Sequence, residues 1–168
     1  MYIPNEFLPT FNSSTKYMFM HRIPGLEEHY LYSDDDYYCL NETSQLDWFR
    51  EDGTPNTVYN NKSIVKNPEV LGISKNKSWP YIWYNSATFS NIVNGIEHGD
   101  NEAIAYPYWH VPGSLLKSDV EGWYNDNINM IHSSITKTRS WNNFSGCMWV
   151  LSESFKYGNR LNIKYDEI

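Results

Sequence analysis

Seven Trp, fourteen Tyr and seven Phe among 168 residues constrain the fold more than any other feature of this sequence. An aromatic side chain that goes inside buries about 150–250 Å², so the chain must build a core around many of these rings and give the rest a surface role. A domain of this length buries roughly 70% of its unfolded surface, which leaves some rings outside. Exposed Trp and Tyr are enriched at interfaces, because they offer a large contact area at little rotamer cost and keep a polar tip. Two runs concentrate them: Trp79-Pro80-Tyr81-Ile82-Trp83-Tyr84 and Tyr106-Pro107-Tyr108-Trp109-His110.

The pattern between these runs predicts one α+β domain over residues 1–168, built mostly from short antiparallel strands and hairpins. Tyr17-Met18-Phe19-Met20 reads as a strand, Pro24-Gly25 as a turn, and Tyr30-Leu31-Tyr32 with Tyr37-Tyr38-Cys39-Leu40 as a hairpin around Asp34-Asp35-Asp36. A short helix is expected over Ser44 to Glu51 with Thr43 as its cap, and the segment from Gly53 to Ser78 reads as loop. Trp79 to Tyr84 is expected as a strand, and Phe89, Ile92, Val93 and Ile96 as a helix stopped by Gly99. One longer amphipathic helix is predicted over about 119–138, with Ser118 and Glu121 as a capping box and Val120, Tyr124, Ile128, Ile131 and Ile135 as its buried stripe. Cys147 to Leu151 and Arg160 to Tyr165 suggest a C-terminal β-hairpin.

Charge narrows the partners. A net charge of −7 repels a phosphate backbone and leaves no basic stripe, so nucleic acid is not expected. No apolar run approaches the roughly 20 residues of a membrane span, and the N-terminal residues lack the pattern of a secretory leader. The expected location is the cytoplasm of the producing cell or a virion. Scarce Ala beside abundant Asn, Tyr, Ile and Lys suggests an AT-rich genome.

Catalytic motifs are missing. Glu97-His98-Gly99-Asp100 has metal-friendly residue types, yet His98 is better placed at the end of a helix with Gly99 as its cap. Asp34-Asp35-Asp36 departs from a calcium loop at Tyr38, Cys39 and Gln45, and reads as a solvated turn. Cys147 could meet His132 or His110, but no local signature supports the pairing. No glycine-rich phosphate cradle occurs, so neither a cofactor nor a metal is expected.

What remains is the aromatic surplus. It predicts a non-enzymatic assembly protein acting through contacts with other protein subunits, such as a small component of a phage or virus particle. The candidate partner-binding residues are Trp79, Tyr81, Trp83, Tyr106, Tyr108 and Trp109, with Trp79, Tyr81 and Trp83 alternating along one strand face. The alternatives are a carbohydrate-binding module that stacks sugars on Trp and Tyr, and an enzyme without a recognisable motif that uses His98, His110 or Cys147.

Overall fold

The computed structural model describes residues 2–33, 41–57, 62–106 and 112–158. Its helices are α1 (Ser13–Met18), α2 (Gln45–Trp48), α3 (Ser78–Val93), α4 (Lys117–Asp126), α5 (Ile128–Ser134) and α6 (Cys147–Tyr157). Its strands are β1 (His29–Tyr32), β2 (Ser63–Lys66), β3 (Glu102–Ala105) and β4 (Gly113–Leu116). β1 pairs antiparallel with β4, His29 facing Leu116 and Tyr32 facing Gly113; β2 pairs antiparallel with β3, Ser63 facing Ala105. The chain is thus α+β, as its residue pattern predicts.

Helix α6 organises the packing. All its residues except Lys156 are buried, which marks a helix enclosed by the core rather than laid on it. Met148, Trp149 and Val150 belong to a larger cluster with Phe19, Phe89, Leu115, Tyr124 and Ile131, whereas Leu151 and Phe155 belong to a smaller one with Ala87, Ala103, Ala105 and Tyr106. Cys147 to Leu151 is therefore helical and not the first strand of a hairpin; a short apolar run does not distinguish the two by periodicity. Residues 159–168, which hold the rest of that expected hairpin, lie outside the described residues.

The aromatic run that opens α3 is also helical. Pro80 stands in the first turn, where the backbone donor it lacks would have no partner inside the helix anyway. The buried positions Ile82, Ser86, Phe89 and Ser90 recur at helical spacing, and the serines among them disguise an apolar stripe. The helix stops at Gly95, not Gly99. Gly95 has φ +61°, its N–H donates to the Ile92 carbonyl at 3.2 Å, and the Ile96 N–H donates to Asn91 at 2.9 Å, which together close a Schellman motif. Asn91 is fully buried, and its side chain both donates to the Ile104 carbonyl (2.7 Å) and accepts from the Ile104 N–H (2.8 Å), tying α3 to β3.

Elsewhere local chemistry moves the predicted boundaries. Tyr17 to Met20 is not a strand, because Asn12 caps α1 by accepting the Ser14 N–H at 3.1 Å, and a 3₁₀ turn over Met20–Arg22 follows. β1 forms where expected but pairs with the distant β4; residues 34–40, the other arm of the predicted hairpin, lie outside the described residues. The short second helix starts after Ser44 instead of Thr43, with Asp47 closing its capping box. The stretch read as loop contains β2. The long helix breaks at Asn127, whose side chain donates to the Trp123 carbonyl at 2.9 Å. The result is α4 and α5 in place of one helix over 119–138, with Val120, Tyr124 and Ile131 buried and Ile128 exposed.

β4 lies directly on α6. A Cβ at Gly113 would stand 2.5 Å from Val150 Cγ2 and 2.7 Å from Cγ1, closer than carbon atoms pack. Gly113→Ala should therefore cost about 1–3 kcal/mol of stability through overpacking, read as a lower denaturant midpoint. Adding Val150→Ala should recover part of that loss; a double mutant no better than the sum of the two single losses would show that Val150 is not the obstacle.

Candidate functional site

The residues singled out in the sequence do not share one surface. On a helix, alternate positions point to different sides, so Trp79 is 52% exposed, Tyr81 only 4%, and Trp83 is half-buried against the smaller cluster. Tyr81 donates its hydroxyl to the Ile73 carbonyl at 2.6 Å, and Tyr106 is buried with its ring 5.0 Å from Phe155. Tyr108, Trp109 and His110 lie outside the described residues. His98 is exposed beyond the end of α3 rather than in its last turn, with Nδ1 3.2 Å from the Gly99 carbonyl. His132 has its Nε2 committed to the Tyr124 hydroxyl at 2.6 Å, and Cys147 is buried at the start of α6. Among the described residues no group of three or more His, Cys, Asp or Glu is placed to hold a metal.

The densest chemistry lies where β4 runs into α4. Four consecutive residues there each reach across to another segment. The Leu116 N–H donates to Glu153 Oε1 at 3.0 Å. The Lys117 N–H donates to the Glu28 carbonyl at 2.8 Å, and its ammonium to the Leu26 carbonyl at 3.3 Å. Ser118 donates its hydroxyl at 2.5 Å and its N–H at 3.3 Å to the Glu28 carboxylate. Asp119 accepts from Lys156 Nζ at 2.6 Å and from the Tyr157 hydroxyl at 2.9 Å. Glu28 thus serves the N-terminus of α4, the role that spacing assigns to Glu121 in a Ser118 capping box.

Three interior groups behind this junction are displaced toward their uncharged forms. Burial holds Glu153 well above the ordinary carboxylate range; the Leu116 N–H opposes that rise and the nearby Asp119 charge adds to it. Its Oε2 and the Tyr30 hydroxyl are both buried without a hydrogen-bond partner among the described residues. Burial also raises the Tyr30 phenol, with the charges of Glu153 and Glu28 reinforcing it. His21 is pulled down to about 4, first by burial and then by the positive charges of Arg22 and Lys117. Its ring packs 4.6 Å from Tyr124, over which the Arg22 guanidinium lies at 4.9 Å.

At the rim the balance reverses. Burial lowers the Lys156 ammonium, but its bonds to Asp119 and Tyr157 outweigh that and hold it above its usual value. With side chains 41% and 14% exposed, Lys156 and Asp119 remain within reach of solvent. Of the seven described groups whose titration is clearly displaced, only Asp47 lies away from this junction and the Tyr124 packed beside it. Active sites concentrate such displacement, as do structural networks of buried charge and hydrogen bonds. Composition and motif reading missed it because its residues come from four separate segments; the one local clue is a lone carboxylate, Glu153, inside an apolar run.

No family model matches this chain. Part of it is similar to curated bacterial enzymes. Over 53 residues it is 43% identical to an exopolysaccharide phosphotransferase of Lactiplantibacillus plantarum, covering 32% of this chain and 16% of that protein. Over 56 residues it is 41% identical to a receptor polysaccharide phosphotransferase of Streptococcus gordonii, covering 33% and 17%. Over 64 residues it is 36% identical to a capsular polysaccharide phosphotransferase of Actinobacillus pleuropneumoniae, covering 38% and 17%. The match thus spans about a sixth of each relative's length. These similarities overturn the expectation of a non-enzymatic phage or virus structural protein, and a virion location with it. An aromatic surplus does not separate rings that touch protein from rings that touch sugar or fill a core, and here Tyr81 and Tyr106 fill the core. No described helix is long and apolar enough to cross a membrane.

Glu153→Gln keeps the acceptor for Leu116 and removes a carboxyl that resists ionisation. Because Glu153 is raised in the folded state, wild-type stability falls as pH climbs above the ordinary Glu value of about 4.5. The stability of Glu153→Gln relative to wild type should therefore improve from pH 5 to pH 7 in urea titrations. A difference that does not change with pH would place the carboxyl in a solvated setting.

Proposed function

We propose that this chain takes part in transferring a phosphate-containing group to a bacterial polysaccharide, and that the β4–α4 junction is the part of it that handles charge. The observation that carries this reading is the 36–43% identity, over about a third of the chain, to polysaccharide phosphotransferases of three bacterial genera. Phosphoryl transfer asks a protein mainly to position reactants and neutralise developing negative charge. In a chain of net charge −7 that neutralisation must be local. Arg22, Lys117 and Lys156 supply cations around one junction, and Asp119, held at its rim by Lys156 and Tyr157, is the carboxylate assigned as base for an attacking sugar hydroxyl.

The test is made in the producing strain. Deleting the gene should abolish the phosphodiester signal in ³¹P spectra of the purified polysaccharide, and the wild-type gene should restore it. Asp119→Asn and Lys117→Ala, accumulating at wild-type levels, should lower incorporation by about a hundredfold or more. A polysaccharide whose phosphate content is unchanged by the deletion overturns the reading. Full activity in both variants moves the chemistry away from the junction.

A further inference from the structure

Helices α3 and α5, with residues 141–144, line an open cleft of about 390 Å³ that the junction does not use. That volume lies within the range of small-ligand sites, which are mostly apolar with a few convergent polar groups. Its walls include Tyr84, Asn85, Thr88, Ser133, Trp141 and Asn142, over an apolar floor, and none of its lining residues is charged. The Thr88 hydroxyl is buried there with no hydrogen-bond partner among the described residues. Asn85 spends its amide nitrogen on the carbonyls of Trp141 (3.0 Å) and Asn143 (3.3 Å), which leaves its Oδ1 without a partner among the described residues.

Trp141 is held in place before any ligand arrives. Lys75 Nζ lies 4.3 Å from the centre of its ring, and Tyr81 meets it edge-on at 6.0 Å. The segment that carries it is pinned by buried Asn143, which donates to the Ser134 carbonyl at 2.5 Å and to the Thr136 hydroxyl at 2.8 Å, and accepts from Asn12 at 2.9 Å. The ring nevertheless stays 40% exposed. A fixed, half-open aromatic face costs little ordering when something binds to it.

We propose that this cleft binds one or two uncharged sugar rings of a glycan chain. A pyranose has an apolar face for Trp141 and Tyr84, and equatorial hydroxyls that suit amide and hydroxyl partners such as Asn85, Asn142, Ser133 and Thr88. A phosphate or a nucleotide would find no cation among the lining residues, and Lys75, which lies against the Trp141 ring, is paired with Glu69 at 3.7 Å, so the cleft takes the neutral part of a substrate and leaves charge to the junction. That the glycan is a bacterial polysaccharide rests on the function proposed above; the preference for a neutral sugar does not.

The full chain is titrated calorimetrically with neutral hexose and N-acetylhexosamine oligosaccharides, with inorganic phosphate as the comparison. At least one oligosaccharide should bind saturably. Trp141→Ala should weaken it about tenfold or more, Trp141→Phe should retain most of it, and Phe11→Ala, an exposed aromatic outside the cleft, should leave it unchanged. If Trp141→Ala melts early, Asn142→Ala supplies the same comparison. Absence of saturable binding to every oligosaccharide, binding indifferent to Trp141→Ala and Asn142→Ala, or displacement of the sugar by phosphate overturns the proposal. Sugar binding that persists in a chain without phosphotransfer would leave the cleft standing and remove the function; phosphotransfer without cleft binding would do the reverse.

Discussion

The rest of the structure depends on the close approach of α3 to α6. Ser90 Oγ donates to the Ser86 carbonyl (2.9 Å) and lies 3.0 Å from the Met148 carbonyl, while Ser152 Oγ donates to Met148 (2.8 Å) and sits 3.2 Å from Ser90 Oγ. Small side chains let two backbones come together, and their hydroxyls find acceptors on the helices themselves, so no donor in the seam is left stranded. Around it the large rings close. Phe89 packs edge-on to Trp149 at 5.6 Å and tilted to Phe144 at 5.4 Å, and the Trp149 indole donates to the Tyr17 carbonyl at 3.0 Å. With α6 fixed in this way, β4 can lie flush against Val150 and present the Leu116 N–H to Glu153.

What could be read beforehand was local, and what could not was the product of distant contacts. The turn at Pro24-Gly25, where Gly25 has φ +76°, the strand at Tyr30 to Tyr32 and the short helix after Ser44 were each announced by residues within a few positions. The run from Trp79 to Tyr84 imitates a strand because its rings alternate, while the serines that complete its helical face count as polar. Ser118 and Glu121 have the spacing of a capping box, yet Ser118 is taken by Glu28, 90 residues earlier in the chain. The same holds for the candidate site, since no spacing rule connects His21, Lys117 and Glu153.

That site has its own electrostatic logic. Its interior favours uncharged forms, an acid in Glu153 and a base in His21, and these respond to acid in opposite ways. His21 falls from 6.5 to about 4 on folding, so the stability it allows is complete above pH 6.5 and is lost as pH drops toward 4. Glu153, raised by burial, is relieved as pH falls toward the ordinary Glu value of about 4.5. In mild acid the two groups therefore act on the junction's stability in opposite directions, while the partly exposed pair of Lys156 and Asp119 carries the charge that solvent and ligands meet.

The side chain of Asn91 offers Ile104 the donor and acceptor that another strand would supply, and so occupies part of the outer edge of β3. A two-stranded ladder has few ways to hide its free edges, and an open edge is a template for adding a strand from another chain. By capping that edge with an amide from its own helix, the protein shields it from intermolecular pairing. Asn91 therefore bears on whether these molecules remain separate from one another at high concentration, a property that belongs to the population and not to the single fold.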